Sequence, residues 1–236
     1  MKRFWSEVTA VKVDRGWQIM LDGRPIKTQG GAEQIVPSAP LAEALADEWH
    51  LQGPNKGDEI DPAGFVLRDM ADYAIDHIRP DRTGAIAKLL AFADTDTLCY
   101  RADPEDALYR KQQEVWEPLV ADFEQREGVA LTRVSGIVHR PAPQETLAKL
   151  RARLETLDDF TLAAVQPLAS LSASLCIALS VLEPGADIDT LWNAANLEEE
   201  WQADLWGRDE EAEEARAKKR AEFAQAARFA ALAGRA

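Results

Sequence analysis

The sequence predicts an α+β chain that is mainly α: a small N-terminal antiparallel β-containing domain over residues 1–62, then an irregular helical domain over residues 63–236. Three observations carry that prediction. Alternation of apolar and polar residues, the period of a half-buried strand, is confined to the stretch before Thr28. Helical periods dominate beyond Asp61. No tandem repeat of about 20 to 50 residues and no low-complexity linker occurs, so the helices read as one bundle and not a solenoid.

Val8–Val13 and Trp17–Leu21 both alternate, and Asp14-Arg15-Gly16 between them supplies a turn, which together make a hairpin. Asp22-Gly23 offers a second tight turn, because glycine tolerates a positive φ, and Arg24–Thr28 then resumes an extended segment. Ser38 can cap the next helix, Pro40 suits its first turn, and Leu41, Leu45 and Trp49 recur every four residues as one apolar stripe. Gln52-Gly53-Pro54 stops it. Helical periods then cover 65–78, 84–92, 104–125, 144–157, 161–182 and 188–232. Gly128–Val138 reads equally as a loop or an extended strand.

Apolar residues at 46% and charged residues at 29% are ordinary for a folded globular protein, so disorder is excluded for most of the chain. The 27 Lys and Arg against 41 Asp and Glu give a net charge of -14, a field that repels nucleic acid and anionic membranes and favours a basic protein partner. Cys99 and Cys176 form no CxxC pair, which suggests neither a disulfide framework nor a zinc site and fits a reducing compartment. The N-terminus has two positive charges without an apolar run behind them, so it reads as neither a secretory signal nor an Arg-rich transit peptide. From Phe160 to Leu182 no residue is charged, a length that could span a bilayer, but Gln166, Pro167 and four serines dilute it. A buried central helix, without stable membrane insertion, is the expectation.

His50, His77 and His139 have no second metal-type ligand at a helical or turn spacing that would name a site, and they read as surface or cap histidines. Phosphate-binding, nucleophile-elbow and zinc-protease motifs are absent. The best case for an enzyme is Asp94-Thr95-Asp96-Thr97-Leu98-Cys99-Tyr100-Arg101, where two carboxylates could split their pKa values or hold a hard cation in a metal-dependent hydrolase. The alternative is that Asp94 or Asp96 caps a following turn and pairs with Arg101.

The charged C-terminal region carries Trp192, Trp201 and Trp206, three of the seven tryptophans. Trp192, Leu197, Trp201 and Leu205 approximate one helical face, with Glu198, Glu199, Glu200 and Asp204 mostly elsewhere. Trp206-Gly207 breaks the run, and Asp209, Glu210, Glu211, Glu213 and Glu214 follow at the start of the last helix. Carboxylates suit the positive end of the helix dipole there, and Glu214 can pair with Lys218. Their excess over local cations is left over, and it suits a basic or amide-rich partner surface.

Six segments, in order along nearly the whole chain, resemble one family. They are Arg3-Phe4-Trp5, Leu21-Asp22-Gly23-Arg24-Pro25-Ile26-Lys27-Thr28, Glu48-Trp49-His50-Leu51-Gln52, Asp94 through Arg101, Gln113-Glu114-Val115-Trp116-Glu117-Pro118-Leu119, and Leu197-Glu198-Glu199-Glu200-Trp201-Gln202 leading to Trp206-Gly207. The family is that of the F1-ATPase assembly chaperones of mitochondria and alphaproteobacteria, which bind the free alpha subunit. The resemblance implies a small N-terminal domain containing β-strands, a helical C-terminal domain, no enzymatic activity and no cofactor. It further implies transient capture of an alpha subunit until that subunit meets a beta subunit. An acidic residue shortly after the Trp-Gly pair is implicated in the family's function, and by position it falls on Glu210. This chain departs from the pattern by surrounding Glu210 with further acids. The expected partner-binding residues are therefore Trp206, Gly207, Asp209, Glu210, Glu211 and Glu214, on a monomer acting in a bacterial cytoplasm or, for eukaryotic relatives, the mitochondrial matrix. Trp192 and Trp201 are expected to anchor the region to the core. A general helical adaptor for some other basic protein is the remaining reading.

Overall fold

Val8–Val13 (β1) and Gly16–Leu21 (β2) pair antiparallel across the Asp14-Arg15 turn, with Val8 opposite Leu21 and Val13 opposite Gly16. The structure is a computed structural model that describes residues 2–53, 55–136 and 140–234. The other edge of β2 pairs with two short strands, Arg24–Pro25 (β3) and Ile35–Val36 (β4). Asp22 and Gly23 both take positive φ, 48° and 74°, as the tight turn between β2 and β3 requires. Gly16 is needed for a different reason. A Cβ there would stand 2.3 Å from the Val36 carbonyl oxygen, so only glycine lets β4 close on β2.

Ala39–His50 (α1) starts on Ser38, whose Oγ accepts from the Leu41 N–H at 3.2 Å and whose hydroxyl donates to the Leu232 carbonyl at 2.6 Å. Leu41, Leu45 and Trp49 are all buried, as their spacing predicts. Arg3 closes the far end of α1 by donating to the carbonyls of His50, Gln52 and Gly53. Those carbonyls lack helical partners, so a buried guanidinium with several donors satisfies them at once. The helix Val66–Tyr73 (α2), which runs into a π-helical turn at Ala74–Ile78, has no cap of its own at Phe65. Glu48 of α1 replaces it, accepting from the Leu67 and Arg68 N–H groups at 2.7 and 2.9 Å. Trp49 meanwhile packs between Trp5 and Phe65, with ring centroids 4.9 and 4.6 Å away.

Arg82–Asp94 (α3), the short strand Tyr100–Arg101 (β5), Ala107–Glu127 (α4), the short strand Val134–Ser135 (β6) and Gln144–Glu155 (α5) come next. β6 pairs parallel with β5, so part of Gly128–Val138 is a strand; Ile137 and Val138 lie outside the described residues, as do Pro54 and His139. The stretch 161–182, expected as one helix, is two: Asp159–Ser172 (α6) and Leu175–Ser180 (α7). Ala173 between them takes φ 48°, held there by the Thr97 N–H and hydroxyl, which donate to its carbonyl at 3.1 and 3.0 Å. A tertiary clasp, invisible to local propensity, breaks the run. Most apolar residues of both pieces are buried, and no helix among the described residues is long and apolar enough to cross a membrane.

The last expected helix is three: Ile188–Ala195 (α8), Leu197–Trp206 (α9) and Glu210–Ala233 (α10). The residues group into two compact units, Met1–Arg82 with Asp158–Ala164 and Arg228–Ala236, and Thr83–Leu157 with Val165–Ala227. The first reaches beyond residue 62 because α2 and its π turn are tied to the β-containing segment. Glu48 caps α2, Asp72 accepts from the Gln29 N–H at 3.0 Å, and Asp76 accepts from the Gly30 N–H and the Thr28 hydroxyl, both at 2.8 Å. Trp116, Phe123, Leu154, Leu168 and Phe223 lie in the core of the second unit.

Candidate partner-binding site

Asn196, with φ -103° and ψ 16°, separates α8 from α9 and donates its side-chain amide to the Trp192 carbonyl at 2.8 Å. The single face expected from Trp192, Leu197, Trp201 and Leu205 is therefore cut in two. Trp192 is buried, its ring 5.3 Å from Phe223, and Ala194 offers its carbonyl to the Trp116 indole N–H at 2.8 Å. α8 is thus anchored to the core. Trp201 is only half-buried, and α9 has no buried residue at all.

The absence of burial continues from Leu197 through Glu222, at the middle of α10. What joins α9 to the first half of α10 is charge. Arg208 reaches Glu200 at 2.8 Å, Asp204 at 3.1 Å and Glu213 at 3.2 Å. Arg216 reaches Glu200 and Glu213, each at 2.7 Å. Two arginines thus bind carboxylates from both helices, and Glu200 first, then Asp204, raises the Arg208 pKa above its already high value. Between the helices lies an open groove of about 410 Å³ whose lining includes Gln202, Ala203, Trp206, Ala212 and Lys219.

The expected partner-binding residues divide by what the fold asks of them. Asp209 is the N-cap of α10, its carboxylate accepting from the Ala212 N–H at 2.9 Å, which is structural work. Glu213 is committed to the two arginines. Glu210, Glu211 and Glu214 are exposed, and among the described residues none makes an ion pair, so the anticipated Glu214–Lys218 pair does not form. Gly207, at φ 97°, turns the chain between α9 and α10. Trp206, the last residue of α9, is 79% exposed, and its neighbour Leu205, expected on the packed face, is 62% exposed. Sequence spacing held a signal for the clamps: Asp204 and Arg208 are four apart, Glu213 and Arg216 three apart.

The alternative centre, Asp94 through Arg101, is occupied with structure. Asp96 is buried and accepts from the Ser174 hydroxyl at 2.7 Å, the Cys176 N–H at 2.9 Å and the Leu98 N–H at 3.1 Å, so it caps both α7 and the turn at Thr97–Cys99. Burial pushes its carboxyl up to about 6. Asp94 accepts from the Ala142 N–H at 2.7 Å. Arg101 is buried and pairs with Glu117 at 2.8 Å and not with either aspartate. Cys99, also buried, has its thiol pushed up to about 12 by burial. His50 and His77 are exposed, the His77 ring 5.2 Å from Tyr73, and no group of three or more metal-type ligands gathers among the described residues.

Comparison with known proteins accounts for this arrangement of motifs. The family described as ATP12 chaperone protein matches residues 2–124. The chain belongs to the ATP12 chaperone family. These are the F1-ATPase assembly chaperones that its six segments resemble. The mitochondrial Atp12 protein of Schizosaccharomyces pombe is 29% identical over 225 residues, spanning 90% of this chain and 76% of that protein. The crystal structure of Atp12 from Paracoccus denitrificans superposes with a TM-score of 0.91 at 36% identity over 98% of both chains. A chaperone-like protein of Agrobacterium tumefaciens superposes with a TM-score of 0.89 at 33% identity, over 98% of this chain and 85% of that one. The ATP12 family match stops before α9, whereas the structural likeness takes in the charged helical pair.

Proposed function

We propose that this chain holds the unassembled alpha subunit of F1-ATPase during assembly of ATP synthase, as a monomer in a bacterial cytoplasm, without cofactor or turnover. The observation that carries the reading is the pair α9 and α10. It is folded, yet it contributes nothing to the core from Leu197 to Glu222 and presents Glu210, Glu211 and Glu214 without ion-pair partners among the described residues. Unpaired like charges crowded within two turns of a helix repel one another, so they are better explained by a partner than by stability. Membership of the ATP12 family, and the mitochondrial location of the Schizosaccharomyces pombe relative, support a role in assembling the F1 sector. A ring subunit without its neighbours exposes an apolar interface that aggregates, and a chaperone has to cover it and then yield to the true neighbour. A small contact steered by charge suits that exchange better than a large apolar one. The engagement of Asp94 and Asp96 with backbone amides weighs against the hydrolase reading.

The test reverses charge at Glu210→Lys and Glu211→Lys together. Aggregation of purified alpha subunit should be suppressed less, while the circular dichroism and the denaturation midpoint of the chaperone stay unchanged. Undiminished suppression overturns the assignment of these residues. Capture of assembled F1 as readily as free alpha subunit overturns the assembly role.

A further inference from the structure

We infer that Leu205 and Trp206 form an apolar anchor that enters a pocket on the client, and that the carboxylates beside it serve as the rim. This rests on the client-holding reading above and specifies its chemistry. Among the described residues of the second unit, these two are the only large hydrophobic side chains that are exposed, at 62% and 79%, and they are consecutive. A scattered exposed leucine is ordinary, but an exposed indole and isobutyl group at consecutive positions at the end of a coreless helix are not. Neither side chain belongs to the core. Trp206 closes α9, Gly207 turns the chain at once, and α10 restarts on the Asp209 cap.

The surroundings define the partner. Glu210 and Glu211 lie in the first turn of α10 and Glu214 one turn on, all without ion pairs among the described residues, so the apolar pair is bordered by net negative charge. The occupant this fits is a protein surface with an apolar pocket rimmed by Lys, Arg or backbone N–H groups. In such an arrangement a central desolvated tryptophan carries most of the affinity, and rim charges set the encounter rate and its salt dependence. The clamps of Arg208 and Arg216 hold the tip in place before the client arrives, which reduces the ordering that binding requires. Because those arginines are already committed to Glu200, Asp204 and Glu213, they leave the three outer carboxylates uncompensated.

The experiment measures binding of full-length chaperone to purified free alpha subunit at low and moderate salt. The variants are Leu205→Ala with Trp206→Ala, Trp206→Phe, and Glu210→Lys with Glu211→Lys. The double alanine variant should bind about 30-fold or more weakly, mainly through faster dissociation, and keep the wild-type salt slope. Trp206→Phe should recover much of the loss. Charge reversal should slow association and flatten the salt slope. Both residues are exposed, so the folded state of the variants, checked by circular dichroism, should be intact. Wild-type affinity in the double alanine variant, with the charge-reversed variant impaired, overturns the anchor and leaves the client assignment standing. Failure of the wild-type chain itself to bind free alpha subunit overturns both.

Discussion

Asp96 offers the most direct quantitative check on how the second unit is held together. Its carboxyl is buried, accepts three hydrogen bonds, and has its pKa raised from 3.8 to about 6, with burial the dominant cause. The unfolded chain leaves the same group near its ordinary value, so between those two pH values the unfolded state has lost a proton that the folded state keeps. Stability then falls as pH rises through this window, and the full penalty is present above the folded pKa. At 1.36 kcal/mol per unit, the penalty is well under about 1 kcal/mol at pH 4 and about 3 kcal/mol at pH 7. Asp96→Asn removes the titration while keeping size and one acceptor oxygen. The measurement is urea unfolding of both proteins in steps from pH 4 to 7. The stability of the wild type minus that of the variant should decline by about 2 to 3 kcal/mol over that range, whatever constant offset the asparagine introduces. Groups that titrate identically in both proteins cancel. A flat difference would show that the carboxyl is solvated, and a rising one that the three donors outweigh burial.

Glu48→Ala should destabilise the first unit by about 1 to 2 kcal/mol, read as a lower denaturation midpoint, because α2 loses the side chain that caps its first turn. Raising salt to about 1 M, where the Debye length is about 3 Å, should speed amide exchange across 197–222 while leaving the buried amides of α6 and α7 protected, since exposed ion pairs and not a core join α9 to α10.

Where a structural decision is local, the sequence announces it. Asp22-Gly23 supplies the backbone its turn needs, and Ser38 with Pro40 starts α1 where the stripe of Leu41, Leu45 and Trp49 begins. Decisions taken across the chain leave no such mark. β4 and β6 are two residues each and exist only because β2 and β5 lie beside them. The bend at Ala173 needs a positive φ that no glycine signals, and Thr97, 76 residues earlier, enforces it. The break at Asn196 is subtler still. Without it Leu205 belongs to the packed face with Trp192; with it Leu205 joins Trp206 in solvent. The candidate site was half legible for the same reason. Its carboxylates are a matter of composition and position, but which of them the fold already uses depends on the Arg208 and Arg216 clamps.

The segments that carry the family resemblance turn out to be mostly joinery. Arg3 closes α1, Glu48 opens α2, Asp96 fixes α7, and Trp116 donates to the Ala194 carbonyl of α8. A motif of this kind reports the fold, because each member satisfies buried backbone groups that would otherwise be costly to leave unpaired. It says little about where a client sits. A side chain that is exposed, chemically conspicuous and free of any task in the fold is, by contrast, one whose identity the fold does not dictate. Trp206, Leu205, Glu210, Glu211 and Glu214 are exposed and outside the core, within one short stretch held in place by its neighbours' ion pairs. Stability explains the arginines that position this surface, and the proposed client accounts for the exposed side chains that stability does not.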